Sequence, residues 1–308
     1  MEIALQFVLL ALGFVMLGKG ADWFVEGAAG IAMRFGIPQL VIGLTIVAMG
    51  TSAPEAAVSI AAAVKGNADI TIGNILGSNI LNILVILGLA ASIVPIAVAR
   101  STVRIEIPFM IAVTALLFYQ GRDGSISLAD GGVLMVAFAA YMMYLYTMAM
   151  KSNVDSDLEE PGLPLGRCLL GAVGGLALII AGSNVTVGAA TSIATYAGLS
   201  ERFIGLTIVA LGTSLPELFT SVAAARRGNA DIAIGNIVGS NIFNILFVVG
   251  LSSLIIDIPF ASAFNFDTYV ALGAAVLLWL CVLRTQRLQR WAGALMLVCY
   301  AAYLGYIL

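Results

Sequence analysis

Residues 43–55 read Gly-Leu-Thr-Ile-Val-Ala-Met-Gly-Thr-Ser-Ala-Pro-Glu, and residues 205–217 read Gly-Leu-Thr-Ile-Val-Ala-Leu-Gly-Thr-Ser-Leu-Pro-Glu. Residues 66–82, Gly-Asn-Ala-Asp-Ile-Thr-Ile-Gly-Asn-Ile-Leu-Gly-Ser-Asn-Ile-Leu-Asn, return in the same way at 228–244. One offset of 162 residues aligns both pairs without a gap, and 33 of the 47 positions from Gly43 to Leu89 are identical. Outside that window the likeness thins to scattered positions, such as Gly20 with Gly182 and Gly36 with Gly198. A recent duplication would have left the flanks as alike as the centre. The retained Asn, Ser, Pro and Glu therefore answer to something other than greasiness.

These polar residues stand in a very apolar chain. Of 308 residues, 61% are apolar and 10% charged, against about 45–50% and 25% in soluble domains. That balance excludes an ordinary soluble domain, a disordered chain and a nucleic-acid binder, which needs a basic face. Histidine is absent, which removes imidazole-ligated zinc and Ser-His-Asp hydrolysis. Cys168, Cys281 and Cys299 lie in apolar runs and read as small hydrophobes. Met1-Glu2 leads straight into an apolar run with no basic region, so no cleaved signal peptide is expected.

About 20 apolar residues cross a bilayer as a helix. Ten runs qualify: 3–21, 37–64, 69–93, 103–120, 126–149, 165–185, 199–225, 231–256, 266–283 and 288–307. The expected fold is an all-α polytopic membrane protein. Ten transmembrane helices form two inverted five-helix repeats, with broken helices at mid-membrane. The first repeat takes 1–150 (core motif 41–89) and the second 164–308 (core motif 203–251). Between them lies an acidic linker over 151–163 carrying Asp155, Asp157, Glu159 and Glu160.

Lys and Arg concentrate on the cytoplasmic side of membrane proteins. With ten spans, one side collects Lys19, Arg34, Arg100, Arg104, Lys151, Arg167, Arg226, Arg227, Arg284, Arg287 and Arg290, and the other only Lys65, Arg122 and Arg202. The expected placement is a multi-pass protein of the cell (inner) membrane, with both termini extracytoplasmic and the linker cytoplasmic. Five spans per half make the halves antiparallel.

Glu55 and Glu217 fall deep inside apolar segments, where a charge costs several kcal/mol. One offset is local, since Ser52 to Glu55 and Ser214 to Glu217 have the S-x-x-E spacing of a capping box. The other is an ion. Pro54 and Pro216 cannot donate to Gly50 and Gly212, which frees two carbonyls at membrane depth. Each break then offers carbonyls, the hydroxyls of Thr51 and Ser52 or Thr213 and Ser214, and one carboxylate. Such all-oxygen sites suit hard cations, and neither sulfur nor imidazole argues for zinc or copper. Asn74, Ser78 and Asn82 recur every four residues and share a helix face, as do Asn236, Ser240 and Asn244. Gly73 with Gly77 and Gly235 with Gly239 permit close helix approach. Asp69 and Asp231 open spans and read as N-caps. Asp22, Glu26, Glu106, Asp130, Glu201, Asp257 and Asp267 lie near span ends and read as interfacial.

The motifs GTSAPE, GTSLPE and the paired GNIxGSNIxN resemble those of the cation/calcium exchanger superfamily, most closely its prokaryotic sodium/calcium exchangers. The resemblance implies a cluster of cation sites at mid-membrane, formed by the two repeats. Glu55, Glu217, Thr51 and Thr213 would ligate Ca²⁺. Glu55 and Glu217 would also serve flanking Na⁺ sites, with Ser52, Ser78, Ser214, Ser240 and the carbonyls of Ala48 and Ala210. Asn82 and Asn244 would close the centre, with Asn74, Asn236, Pro54 and Pro216 in support. Some relatives, including exchangers that co-transport K⁺, have Asp where this chain has Asn244, so a K⁺-independent carrier is expected. The His-containing motif of Ca²⁺/H⁺ exchangers is missing.

The implied function is secondary antiport of three Na⁺ for one Ca²⁺ by alternating access, electrogenic, with helices one and six as the movers. The protein is then not an enzyme and uses no cofactor. Its partners are the two ions and the bilayer, with no nucleic acid, and a monomer is the expectation. Ca²⁺/H⁺ exchange is the alternative within the transporter class. A cation channel and an intramembrane hydrolase using the two glutamates are the alternatives outside it.

Overall fold

The computed structural model describes residues 2–66, 68–152, 163–198 and 210–307. Apolar sequence with few charges can satisfy its backbone in lipid only by helix or closed barrel, and the described residues are helical apart from their connections and four two-residue strands. Helix α1 is Glu2–Arg34. The second span is broken, as its Gly-Thr-Ser-Ala-Pro sequence predicts. Its first part, α2, is Gln39–Thr51, its second, α3, is Ala53–Val64, and they meet at 51°. Then come α4 (Asp69 to Ile93), α5 (Thr102–Asp123) and α6 (Leu128–Ser152).

The second half repeats this order. It has α7 (Leu165–Tyr196), α8 (Ala210–Thr213), α9 (Leu215–Arg226), α10 (Ala230–Ile255), α11 (Phe264–Leu283) and α12 (Arg290–Ile307). The span expected over 199–225 is described from Ala210 onward, and Glu201 and Arg202 lie outside the described residues, as do positions 153–162 of the linker. Helices α1 and α7 run to 33 and 32 residues, well past the expected ends at 21 and 185.

The motif helices form the centre. Within their most apolar stretches, 94% of α10 and 78% of α4 is buried, against 17% of α6 and α12. Each central helix carries a wide π turn directly after its motif, at Asn82–Leu87 and Asn244–Val249. Such turns often mark functional sites. Gly235 and Gly239 let α10 press on α2: a methyl added at Gly239 would sit 2.7 Å from the Leu44 carbonyl oxygen. The counterparts of that contact for Gly73 and Gly77 would involve residues 205 and 206, outside the described residues.

The repeat extends further than sequence likeness shows. Two short strands near the ends of the first half, β1 (Ile96–Ala97) and β2 (Ser125–Ile126), have counterparts β3 (Ile258–Pro259) and β4 (Arg287–Leu288). They pair across halves: Ile96 opposite Leu288, and Ile126 opposite Ile258. Shifting either pair by 162 residues yields the other, the reciprocity of a two-fold axis. The β1–β4 ribbon lies beside Arg100, Arg284 and Arg290, whose guanidinium reaches the Ile93 carbonyl at 3.3 Å. The β2–β3 ribbon lies beside Arg122 and Asp257, which accepts the Leu128 amide at 3.2 Å. The basic residues beside the two ribbons thus sit at opposite ends of α5.

Helices α1 and α7 run antiparallel along a seam of glycines. A methyl on Gly20 would lie 2.9 Å from the Gly175 carbonyl oxygen, and one on Gly27 would lie 2.5 Å from the Cys168 carbonyl oxygen. Lipid gives helices no hydrophobic reason to associate, so close backbone packing between small residues must hold the pair. Gly27→Val is expected to force the pair apart and to cost about 2–4 kcal/mol. A fall in the melting temperature of purified protein is the check, and an unchanged value would refute the close seam.

One residue read as interfacial faces the protein interior. Glu106, near the start of α5, is fully buried, and Tyr144 donates a hydrogen bond to its Oε1. It is the last residue of the π turn Thr102–Glu106 that opens α5. Asp231 is not an N-cap. Asn229 holds that position, and Asp231 sits within the first turn of α10.

Candidate cation site

The break between α2 and α3 brings the conserved-by-repeat residues together. Pro54 and Pro216 occupy the first turns of α3 and α9, where a missing N–H costs nothing. Glu55 and Glu217 follow in those same turns, each 1% exposed. Each carboxylate is bonded by the serine that stands three residues before the other, so both belong to one site. A negative group at a helix N-terminus is favoured by the helix dipole, and both broken helices exploit this.

The capping-box expectation fails in an instructive way. Ser52 and Ser214 stand at the N-cap positions but make no capping bond to their own helices. Instead Ser52 Oγ donates to Glu217 Oε1 at 2.9 Å, and Ser214 Oγ donates to Glu55 Oε1 at 3.4 Å. Each serine serves the carboxylate of the other half. Thr51 and Thr213 accompany them, beside Glu217 and Glu55 respectively. Thr51 also donates to Asn236 Oδ1 at 3.0 Å.

Asn74 and Asn236 brace the broken helices from the neighbouring α4 and α10. Asn74 Nδ2 donates to Ser59 Oγ at 3.0 Å and to the Glu55 carbonyl at 3.3 Å. Asn236 Nδ2 does the same to Ser221 Oγ at 2.9 Å and the Glu217 carbonyl at 3.4 Å. Ser240 Oγ donates to the Ala48 carbonyl at 3.3 Å. Ser78 is buried on the matching face of α4. Ala210 opens the described part of its span, and its side chain lies outside the described residues.

Two asparagines that the four-residue periodicity passes over complete the centre. Asn79 Nδ2 donates to the Asn241 carbonyl at 3.2 Å, and Asn241 Nδ2 returns the bond to the Asn79 carbonyl at 3.1 Å. Their side-chain oxygens accept from Asn244 Nδ2 at 3.1 Å and Asn82 Nδ2 at 3.0 Å. This ring fixes the amide orientations by bonding. With the N–H groups of Asn82 and Asn244 turned into the ring, their Oδ1 atoms are left over. Asn79 and Asn241 were findable, since both belong to the repeated Gly-Ser-Asn.

Of the eleven buried side-chain oxygens without a hydrogen-bond partner among the described residues, four belong to this site and form two repeat-related pairs: Glu55 Oε2 with Glu217 Oε2, and Asn82 Oδ1 with Asn244 Oδ1. Buried acceptors are almost always satisfied, and leaving one unmade costs about 1–3 kcal/mol. Four acceptors with a doubly negative pair among them call for a cation. No group of three or more acidic, Cys or His residues gathers among the described residues, so any cation here is held by two carboxylates and neutral oxygens. One proposed ligand is already engaged: the Gly212 carbonyl released by Pro216 accepts Ser183 Oγ of α7 at 2.7 Å. A cavity of about 700 Å³ reaches this region, lined by Pro54, Val58, Ser183, Asn184, Gly212 and Thr213.

The model of the family described as sodium/calcium exchanger protein matches residues 5–147 and again 168–308. The chain is 33% identical over 346 aligned residues to the sodium/calcium exchanger MaX1 of Methanosarcina acetivorans, covering 98% of each. It is 41% identical over 260 residues to the inner membrane protein YrbG of Escherichia coli, covering 80% of this chain and 79% of that one. A solved structure of the sodium-calcium exchanger NCX_Mj superposes with a TM-score of 0.87 at 33% identity, over 99% of this chain and 100% of the other. The twice-matched family model agrees with the internal repeat, and the chain belongs to the sodium/calcium exchanger family.

Proposed function

We propose that this cation/Ca²⁺ antiporter exchanges Na⁺ for Ca²⁺, using Glu55 and Glu217 as the shared carboxylates. The observation that carries the reading is the set of four unpartnered oxygens, two charged and two neutral, related by the repeat. Two carboxylates balance one Ca²⁺. They under-balance three Na⁺ by one charge. The neutral ligands are Thr51, Thr213, Asn82 and Asn244 for the central ion. Ser52, Ser214, Ser78, Ser240 and the Ala48 and Ala210 carbonyls supply the flanking sites. Asn244 in place of an acid removes the charge that a co-transported K⁺ would need.

The basic end of the bundle is assigned to the cytoplasm, which puts both termini outside and the acidic linker inside. On that assignment the cavity beside Pro54 and Thr213 lies in the outer half of the bundle, which supports reading it as the outward passage. Sites at the interface of inverted repeats are reached alternately from the two sides as one helix group moves against the other.

Purified protein in proteoliposomes tests this reading. Loaded with Na⁺ and diluted into Na⁺-free medium, the vesicles are expected to take up ⁴⁵Ca²⁺, and K⁺ on either side is expected to change nothing. Uptake that follows a pH gradient and ignores Na⁺ would overturn the reading in favour of Ca²⁺/H⁺ exchange. Uptake that needs no counter-ion would point to a channel.

A further inference from the structure

The repeat turns the open cavity into a map of the passage that must open on the other side. The open cavity is lined by Ala57 of α3, by Ser183, Asn184 and Gly188 of α7, and by Thr213. Shifted by 162 residues, these positions become Phe219, Ala21, Asp22, Glu26 and Thr51. That second set is closed. Helix α1 lies directly on α9, with the Phe14 and Phe219 rings 6.1 Å apart and Ala21 fully buried. Helix α7, the counterpart of α1, stands off from α3 across the cavity.

The two passages are not chemical copies. Where the open one has Asn184 and Gly188, the closed one has Asp22 and Glu26. One side chain holds both carboxylates: Arg227 Nε lies 3.3 Å from Asp22, and its Nη1 lies 3.2 Å from Glu26. Arg227 follows the last residue of α9, so the fork ties α1 to α9 across the mouth of the closed passage. The counterpart of Arg227 in the first half is Lys65, also a cation. The positions it would have to engage in the reversed state carry no carboxylate.

Resting on the alternating-access reading above, we infer that Arg227, Asp22 and Glu26 form a one-sided latch. It favours the state open beside Lys65, and the positions matching Asp22 and Glu26 in the other half, Asn184 and Gly188, offer Lys65 no carboxylate. The three side chains are 36–45% exposed, so solvent screens the pair and its worth is modest. Breaking it should shift the balance between the two states two- to fivefold, on the order of other exposed pairs.

Cysteine accessibility in nanodiscs tests the latch. Single cysteines replace Ala57 in the open passage and Ala21 in the closed one, with Cys168, Cys281 and Cys299 changed to alanine. Arg227→Gln is expected to speed maleimide labelling at position 21 and slow it at position 57, each two- to fivefold. About 0.5 M choline chloride should do the same to the parent by screening and little to the Arg227→Gln protein. Arg227→Lys, which keeps the charge but loses the fork, should shift both rates less and in the same directions. Rates unchanged by Arg227→Gln would overturn the latch, as would rates that rise together at both positions. Labelling needs no ion flux, so failure here leaves the Na⁺/Ca²⁺ reading to its own uptake assay.

Discussion

Glu55→Gln and Glu217→Gln are each expected to lower Na⁺-driven ⁴⁵Ca²⁺ uptake at least about a hundredfold, with the helical fold intact. A divalent cation about 4 Å from one carboxylate gains on the order of 8 kcal/mol at an effective dielectric constant near 20. Part of that returns, because a glutamine need not be desolvated as a charge and keeps one oxygen. A net loss of about 3 kcal/mol is a conservative remainder, and each 1.4 kcal/mol is tenfold. The variants should fold because the amide oxygen can still accept from Ser52 or Ser214, the bonds seen in the structure. Removing one of two neighbouring like charges should also raise the melting temperature of the ion-free protein. The two substitutions should match, since their surroundings are related by the repeat. Normal uptake by either variant would sink the assignment of the carboxylates.

The second large effect is electrical. Under the proposed exchange of three Na⁺ for one Ca²⁺ on a doubly negative site, each cycle would move one net positive charge. One charge across 100 mV is worth about 2.3 kcal/mol, which is roughly a fiftyfold change in the Ca²⁺ gradient the carrier can sustain. Vesicles clamped with valinomycin and set K⁺ gradients should therefore shift their equilibrium Ca²⁺ ratio by about that factor per 100 mV, in the sense that interior-negative potential expels Ca²⁺. An equilibrium ratio that ignores the clamp would show electroneutral exchange, two Na⁺ per Ca²⁺, and would leave the carboxylate assignment standing.

Much of this site could be read from spacing alone. Pro54 after Thr51-Ser52-Ala53 predicts a break, and the chain bends there by 51°. The fixed offset between Glu55 and Glu217 predicts that two carboxylates meet, and both are buried together. What spacing cannot carry is which chain segment answers which. Ser52 stands three residues before Glu55 and reads as its cap, yet it serves Glu217, 165 residues away. A helical face drawn through Asn74, Ser78 and Asn82 omits Asn79, because contacts across a two-fold axis obey the partner's geometry, not the helix's own period. Ser183 escapes because its partner, the Gly212 carbonyl, belongs to the backbone and leaves no mark on the side-chain pattern.

The two ribbons have a mechanical consequence. β1–β4 and β2–β3 rivet the halves to each other at opposite faces of the bundle, and the Asn79–Asn241 bonds join them again at the centre. A body fastened at three heights cannot hinge open between its halves without breaking a fastening. The α1–α7 pair belongs to none of these fastenings. The molecule thus divides into a frame and a shuttle, and under the alternating access proposed above the stroke falls to the shuttle, moving along the frame.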